Sequence, residues 1–255
     1  MSRYLRLALA LAISLGGLSS AMAADMPLKA IPSPAPVYNW TGFYIGVEAG
    51  GDFGRSQVIH GPNDPAGVAL NTPITNPFDI TSGLAGITAG YNYQISQWVL
   101  GIEGDISWVR GGQSAFDVAP FNPAFSQLVQ ERWNATVRGR VGYTVLPNLL
   151  VYGTGGWADS SVRQTVSDPT FTALAPIVES HTMSGWTGGF GLEWKFYGPW
   201  SAKAEFLYVD LGQKSFFNPP ANTVNYASDQ QVRLHDTIVR FGVNYQFNSP
   251  IVAKY

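Results

Sequence analysis

Hydrophobic and polar residues alternate along much of this chain with a period of two. From Thr237 to Phe247 the stretch TIVRFGVNYQF puts Thr237, Val239, Phe241, Val243, Tyr245 and Phe247 on one side. Ile238, Arg240, Gly242, Asn244 and Gln246 fall on the other, because successive side chains of a strand point to opposite faces. One face is apolar and aromatic, and the other is mostly polar and carries a charge. An apolar face turned to lipid and a polar face turned to a lumen describe a membrane-crossing strand.

Six further segments repeat the pattern. Trp40 to Phe53 sets Phe43, Ile45, Val47 and Ala49 against Tyr44, Gly46 and Glu48. Ser82 to Gln94 sets Ala85, Ile87, Ala89, Tyr91 and Tyr93 against Gly86, Thr88, Gly90 and Asn92. Trp98 to Val109 opposes Trp98, Leu100, Ile102, Ile106 and Trp108 to Gly101, Glu103, Asp105 and Ser107. Glu131 to Val145 opposes Trp133, Ala135, Val137, Val141 and Tyr143 to Asn134, Thr136, Arg138 and Arg140. In Ser180 to Phe196, Trp186, Phe190, Leu192, Trp194 and Phe196 oppose Thr187, Gly189, Gly191, Glu193 and Lys195. In Trp200 to Leu211, Trp200, Ala202, Ala204, Phe206 and Tyr208 oppose Ser201, Lys203, Glu205 and Leu207. An eighth segment, Leu149 to Val162, reads as a strand whose phase its glycines leave open. A sustained period of two is a strand signal rather than a helical one.

The connections alternate in length. Short turns are predicted near Ile95 to Gln97, Leu146 to Asn148 and Tyr197 to Pro199, and long polar links over residues 54–81, 110–130, 163–179 and 212–230. Short turns at one end and long loops at the other predict an all-β fold: an eight-stranded antiparallel up-and-down transmembrane β-barrel over residues 40–247. A soluble β-sandwich with its apolar faces inward is the competing fold. Against it, Trp40, Trp98, Trp200, Phe196 and Phe247 gather beside the short-turn end, where an interfacial girdle belongs.

Charge sorts by face. The outer face carries no Lys or Arg at membrane depth, where one would cost about 2–4 kcal/mol. The inner face holds Glu48, Glu103, Asp105, Arg138, Arg140, Glu193, Lys195, Lys203, Glu205 and Arg240. Acids and bases balance in that set, and eight strands leave an interior just wide enough for side chains to fill. The set therefore reads as a packed polar core, with Glu103 and Asp105 pairing Arg138 and Arg140 across neighbouring strands to offset buried charge. Selective permeation through the lumen is the other reading.

Composition narrows the picture. Charged residues are 13 % and aromatics 13 %, so charge is about half of what a soluble domain carries. Arg3 and Arg6, the apolar run Leu7 to Leu15 and the site Ala21-Met22-Ala23 describe a cleaved export signal over residues 1–23. Residues 24–39, with Pro27, Pro32, Pro34 and Pro36, form an extended tether. A short tail follows at 248–255, where Pro250 argues against a continued strand. The net charge of −2 gives a nucleic-acid partner no support, and the absence of Cys excludes disulfides and thiolate chemistry.

Several motifs together resemble a known family. They are ADMPLKA (Ala24 to Ala30), NWTGFYIGVEAG (Asn39 to Gly50), GYNYQ (Gly90 to Gln94), VLGIEGDISW (Val99 to Trp108), RGRVGY (Arg138 to Tyr143), AEFLYVDLG (Ala204 to Gly212) and VRFGVNYQF (Val239 to Phe247). They are similar to the outer-membrane immunogenic proteins of α-proteobacteria, a small porin family related to OmpA-like eight-stranded barrels. The resemblance implies a surface protein in the outer membrane of a Gram-negative bacterium, serving envelope integrity and contact with host or environment. It implies outer-membrane lipids, lipopolysaccharide and the barrel-assembly machinery as partners, and leaves a homo-oligomer open. The assembly signal falls on Phe241, Val243, Tyr245 and Phe247. The resemblance carries no catalytic residue.

Other chemistry is weakly supported. His60, His181 and His235 lie in or beside predicted loops without metal-ligand spacing. His181 with Ser184 lacks the third, orienting group a nucleophile needs. Gly153 to Gly156 lacks the strand-to-helix context of a phosphate cradle. The sequons at Asn39 and Asn134 are chance matches. No catalytic, cofactor or metal site is expected. The function expected is a non-enzymatic structural and surface-contact barrel, with a narrow solute or ion channel as the alternative and a lipid-modifying enzyme behind both.

Overall fold

The computed structural model describes residues 38–61, 71–167, 176–216 and 230–247. The export signal, the tether up to residue 37 and the tail at 248–255 lie outside the described residues. The strands are β1 (Gly42–His60), β2 (Phe78–Ile95), β3 (Trp98–Gly111), β4 (Gln113–Phe116), β5 (Ser126–Leu146), β6 (Leu149–Ser167), β7 (Ile177–Tyr197), β8 (Trp200–Phe216) and β9 (Gln230–Gln246). Each pairs antiparallel with its neighbours in the order β3-β2-β1-β9-β8-β7-β6-β5-β4, and pairing of β3 with β5 closes the ring. Eight staves thus make the barrel. The short β4 continues the third stave beyond Gly112 and pairs only with the upper part of β5.

Three tight turns close one end, between β2 and β3, β5 and β6, and β7 and β8. In two of them Ser96 (φ 56°) and Gly198 (φ 51°) occupy the left-handed region, which tight hairpin turns favour. The last strand starts its pairing with the first at Tyr44↔Gln246 and continues to His60↔Gln230.

The staves run past the expected segment ends, so the long links are shorter than the pattern predicts. β1 extends to His60 rather than Phe53, β6 to Ser167 and β8 to Phe216, while β5 begins at Ser126 and β9 at Gln230. The reason is an inversion of polarity along each stave. In β9, even-numbered residues face inward throughout, yet Val232 and Leu234 are fully buried while Gln231, Arg233 and His235 take the outer face. A template that is apolar outside and polar inside reads such a stretch as loop. In β5 a bulge between Glu131 and Trp133 also shifts the phase.

The interior has two storeys. Near the tight turns it is polar and charged. At the far end Val58, Ile80, Leu84, Val109, Val129, Val162, Val166, Met183, Leu207, Val209, Phe216, Val232 and Leu234 form one apolar core. Loop residue Ile74 enters that core, its amide donating to the Val58 carbonyl at 2.9 Å. The loop after β4 covers it, with Val118 N donating to Ile74 O at 2.7 Å and Phe121 stacking on His60.

Trp40 corrects the sequence expectation. It precedes β1 and is 1 % exposed rather than part of an interfacial girdle. Its indole packs with Val99, Leu150 and Tyr152, its Nε1–H donates to Pro147 O at 3.3 Å, and its backbone N–H donates to Gln94 Oε1 at 2.8 Å. The chain turns beneath the barrel before the first strand starts, so Trp40 fills the mouth. Trp98, Trp200, Phe196 and Phe247 do face outward there. The phase of β6, which its glycines obscured, is set by Tyr152 inward and Val151 and Trp157 outward.

Candidate functional site: a charge-filled lumen

All ten sequence-predicted lumen residues are buried, and nine of them join through side chains of β1, β3, β5, β7, β8 and β9. Arg138 on β5 is the hub: it meets Glu103 Oε1 at 2.5 Å, Asp105 Oδ2 at 3.1 Å and Glu205 Oε1 at 3.4 Å, and donates from Nε to Thr136 Oγ1 at 2.9 Å. Arg240 on β9 reaches Asp105 Oδ1 and Glu205 Oε2, each at 2.8 Å, and also Glu48. Lys203 sits 3.1 Å from Glu48, 3.2 Å from Glu103 and 3.4 Å from Glu205. Arg140 pairs with Glu193 at 2.7 Å and with Glu103 at 3.5 Å.

Two tyrosines that the sequence reading did not assign to the network complete it. Tyr44 OH donates to Glu103 Oε2 at 2.7 Å, and Tyr152 OH donates to Glu205 Oε1 at 2.8 Å. The Arg140 guanidinium lies 3.9 Å from the Tyr152 ring centroid, within cation–π range. Glycines make the space: a side chain at Gly90 would strike the Tyr44 hydroxyl, and one at Gly191 the Tyr152 ring. The inward phase of Tyr44 was legible, whereas that of Tyr152 was hidden by the glycines around it.

Lys195 stands apart at the mouth. Its Nζ donates to Asn39 O at 2.7 Å and to Gln246 Oε1 at 2.5 Å, and lies 4.8 Å from the Trp40 ring centroid. Glu193 also accepts from Ser201 Oγ at 2.6 Å and Asn244 Nδ2 at 2.9 Å. Arg and Lys groups that bridge several carboxylates form a plug of linked ion pairs across the lumen. Removing one member strands its partners in a low-dielectric site, which costs about 3–5 kcal/mol.

Above the network lies a second ionisable cluster that sequence reasoning missed. Asp52, Glu131 and Asp236 come from β1, β5 and β9 and offer oxygens within 4.8 Å of one another. All three are buried, and none forms a salt bridge with a base among the described residues. Only protonation or a bound cation can offset three such carboxylates. They sit at predicted strand ends, where nothing in the spacing joins them. A cavity of about 10 Å³ lies against Glu131 and Asp236, room for about one water molecule. At the upper mouth Gln164 Nε2 donates to Gln127 Oε1 at 3.0 Å and to Gln230 Oε1 at 2.6 Å, crossing from β6 to β9.

The remaining candidates are not brought together. His60 is buried at the end of β1 and stacks on Phe121 rather than sitting at the surface, because its stave extends further than expected. His181 lies 2.7 Å from Glu179, and His235 Nδ1 3.2 Å from Asp210 Oδ1. His181 packs edge-on against buried Phe216 while Ser184 is exposed, since residues three apart in a strand point to opposite faces. Phe241, Val243, Tyr245 and Phe247 line the outer face of the last stave and the residue following it, where Trp200 and Phe247 each pack edge-on against Tyr245. Asn134 and Thr136 of one sequon are buried in the lumen.

A closed ring of eight staves, exposing Phe43, Val47, Ile102, Val137, Phe190 and Phe241 while burying charge inside, is a transmembrane β-barrel. The chain belongs to the outer membrane protein β-barrel domain family, whose model matches residues 8–247. It is 34 % identical over 238 residues to the 31 kDa outer-membrane immunogenic protein of Brucella melitensis, covering 90 % of this chain and 94 % of that one. It is 35 % identical over 188 residues to the 22 kDa outer membrane protein of Rhizobium leguminosarum bv. viciae, covering 71 % and 69 %. Among solved structures it is similar to the outer membrane protein OprG from Pseudomonas aeruginosa, at 12 % identity and a TM-score of 0.47 over 82 % of this chain and 98 % of that one. The protein is thus an outer-membrane barrel of a Gram-negative bacterium, with relatives known as immunogenic outer-membrane proteins.

Proposed function

We propose that the protein acts as a closed, non-enzymatic barrel that strengthens the envelope and presents its upper storey as a contact surface. The observation that carries this reading is the buried network around Arg138, Arg240 and Lys203, which spans the lumen without an aqueous gap between partners. Trp40 below and the apolar core above add two further barriers. That the Brucella relatives are named immunogenic outer-membrane proteins supports a surface-contact role. Phe241, Val243, Tyr245 and Phe247 serve as the assembly signal in this reading, which also includes the barrel-assembly machinery as a partner.

Planar-bilayer recording of the refolded full chain tests closure. The expected result is a quiet membrane. Reproducible single-channel steps that change when Arg138 and Arg140 are replaced would instead establish the narrow channel. An altered lipid A profile on deletion, restored only by the intact chain, would favour a lipid-modifying enzyme.

A further inference from the structure

Three arginines stand outside the barrel on three consecutive staves. Arg110 follows Trp108 by two residues on the outer face of β3, Arg132 lies in the bulge of β5 beside Trp133, and Arg163 takes the outer face of β6 above Trp157. The register pairs Trp108 with Trp133 and Gln130 with Arg163. With strands about 4.8 Å apart and about 3.3 Å per residue, the three backbone positions fit a patch about 10 Å across. Arg110 and Arg132 are exposed and Arg163 is half-buried, with no hydrogen-bond partner at its Nε.

This patch is uncompensated. None of the three arginines forms a salt bridge among the described residues. The described outward acid on these staves, Asp159, accepts a hydrogen bond from Trp157 Nε1 at 3.1 Å. On the opposite wall, by contrast, Arg55 faces Asp79 in register, His235 meets Asp210, and Arg233 donates to Gln213 at 3.2 Å. Two residues below Arg110 the surface turns apolar at Trp108, which is more than half exposed and pairs in register with Trp133.

We propose that this face binds lipopolysaccharide of the outer leaflet: Arg110, Arg132 and Arg163 hold its phosphate groups while Trp108 and Trp133 pack against the upper ends of its acyl chains. Guanidinium groups grip phosphate oxygens through paired, charge-assisted hydrogen bonds, and tryptophans favour the boundary between headgroup and hydrocarbon. Cations set directly above a lipid-facing aromatic band select a ligand that is anionic above and apolar below. A free phosphate would use only half of the site. The inference depends on the membrane placement and is independent of whether the lumen conducts.

The test is retention of lipopolysaccharide by the refolded full chain in detergent, read by native mass spectrometry. Replacing Arg110, Arg132 and Arg163 together by Gln is expected to lower retention about tenfold or more, as befits several charge-assisted hydrogen bonds. The pair Arg55→Gln and Arg233→Gln is expected to leave it nearly unchanged. Enzymatic removal of the lipid's phosphates is expected to reduce wild-type binding to the level of the triple variant. Equal binding by wild type and a folded triple variant would overturn the proposal, as would an equal loss in the opposite-wall pair. The dephosphorylation comparison needs no variant, and wild-type protein that binds both lipids alike would refute phosphate recognition by itself.

Discussion

The lower and upper halves of the staves obey opposite rules. In the lower half the outer face is Val47, Ile102, Val137 and Phe241, and the inner face is Glu48, Glu103, Arg138 and Arg240. In the upper half Val129, Val162 and Leu234 turn inward, while Arg55, Arg110 and Arg233 turn outward. The side-chain alternation continues between them; only its polarity changes. Lipid outside demands an apolar exterior and leaves the interior to satisfy its own polar groups. Water outside restores the ordinary drive to bury apolar surface. The lower half is held by a charge network and the upper half by a hydrophobic core, so the two halves respond to different substitutions.

The largest effect is expected in the lower interior. Arg138→Met leaves Glu103, Asp105 and Glu205 short of a partner, and unfolding in urea, followed by heat-modifiable gel migration, should show a loss of about 3–5 kcal/mol. Adding Glu103→Gln should recover part of it, and a double-mutant cycle measures the coupling. A single-variant loss no larger than a typical surface change would break the account of this half. The upper interior comes next. Leu234→Ala opens a cavity in a fully buried apolar site, with an expected loss of about 2–5 kcal/mol in the same assay.

The outer faces separate the halves more sharply. Val137→Arg places a charge on the lipid face and should cost about 2–4 kcal/mol in bilayer refolding. Thr165→Arg, on the outer face of the upper half, should stay within about 0.5 kcal/mol. Equal costs at the two positions would erase the distinction.

The smallest effect is a pH dependence confined to the upper loops. Burial pushes the Asp117 carboxyl up to about 6, although Gln127 Nε2 donates to it at 3.0 Å and partly opposes the shift. A raised folded pKa means that this contribution to stability is fully present below the unfolded value of 3.8 and is lost as pH rises through about 6. Hydrogen exchange at Asp117 N and Val118 N, corrected for intrinsic rate, should therefore show protection falling across that window. Asp117→Asn should remove the dependence.

The lower half was legible because each clear strand there keeps one polarity for its whole membrane span. Arg138, Arg240 and Lys203 could be assigned to the lumen from phase alone. Their partners across the lumen, such as Glu48 for Lys203 or Glu193 for Arg140, depend on barrel closure and not on spacing. The upper half was illegible for a stated physical reason. Val232 and Leu234 break the expected polar interior, and the bulge at Glu131 and Trp133 breaks the phase. Trp40 misled because an aromatic beside a turn suits a girdle and a plug equally well. The trio Asp52, Glu131 and Asp236 was hidden because three distant staves contribute one residue each.

The inversion itself is the central claim, and β9 carries it within a single strand. The chain has no native cysteine, so single cysteines at the outward positions Gln231, Arg233, His235, Val239, Phe241 and Val243 each accept one nitroxide without background. In reconstituted bilayers the account predicts that labels at 239, 241 and 243 collide mainly with oxygen dissolved in lipid. Labels at 231, 233 and 235 should collide mainly with a water-soluble nickel chelate, with the crossover near Thr237. A single environment along the whole series, or a crossover displaced by a full turn of the alternation into Gln231 or Val243, would contradict the two-storey barrel.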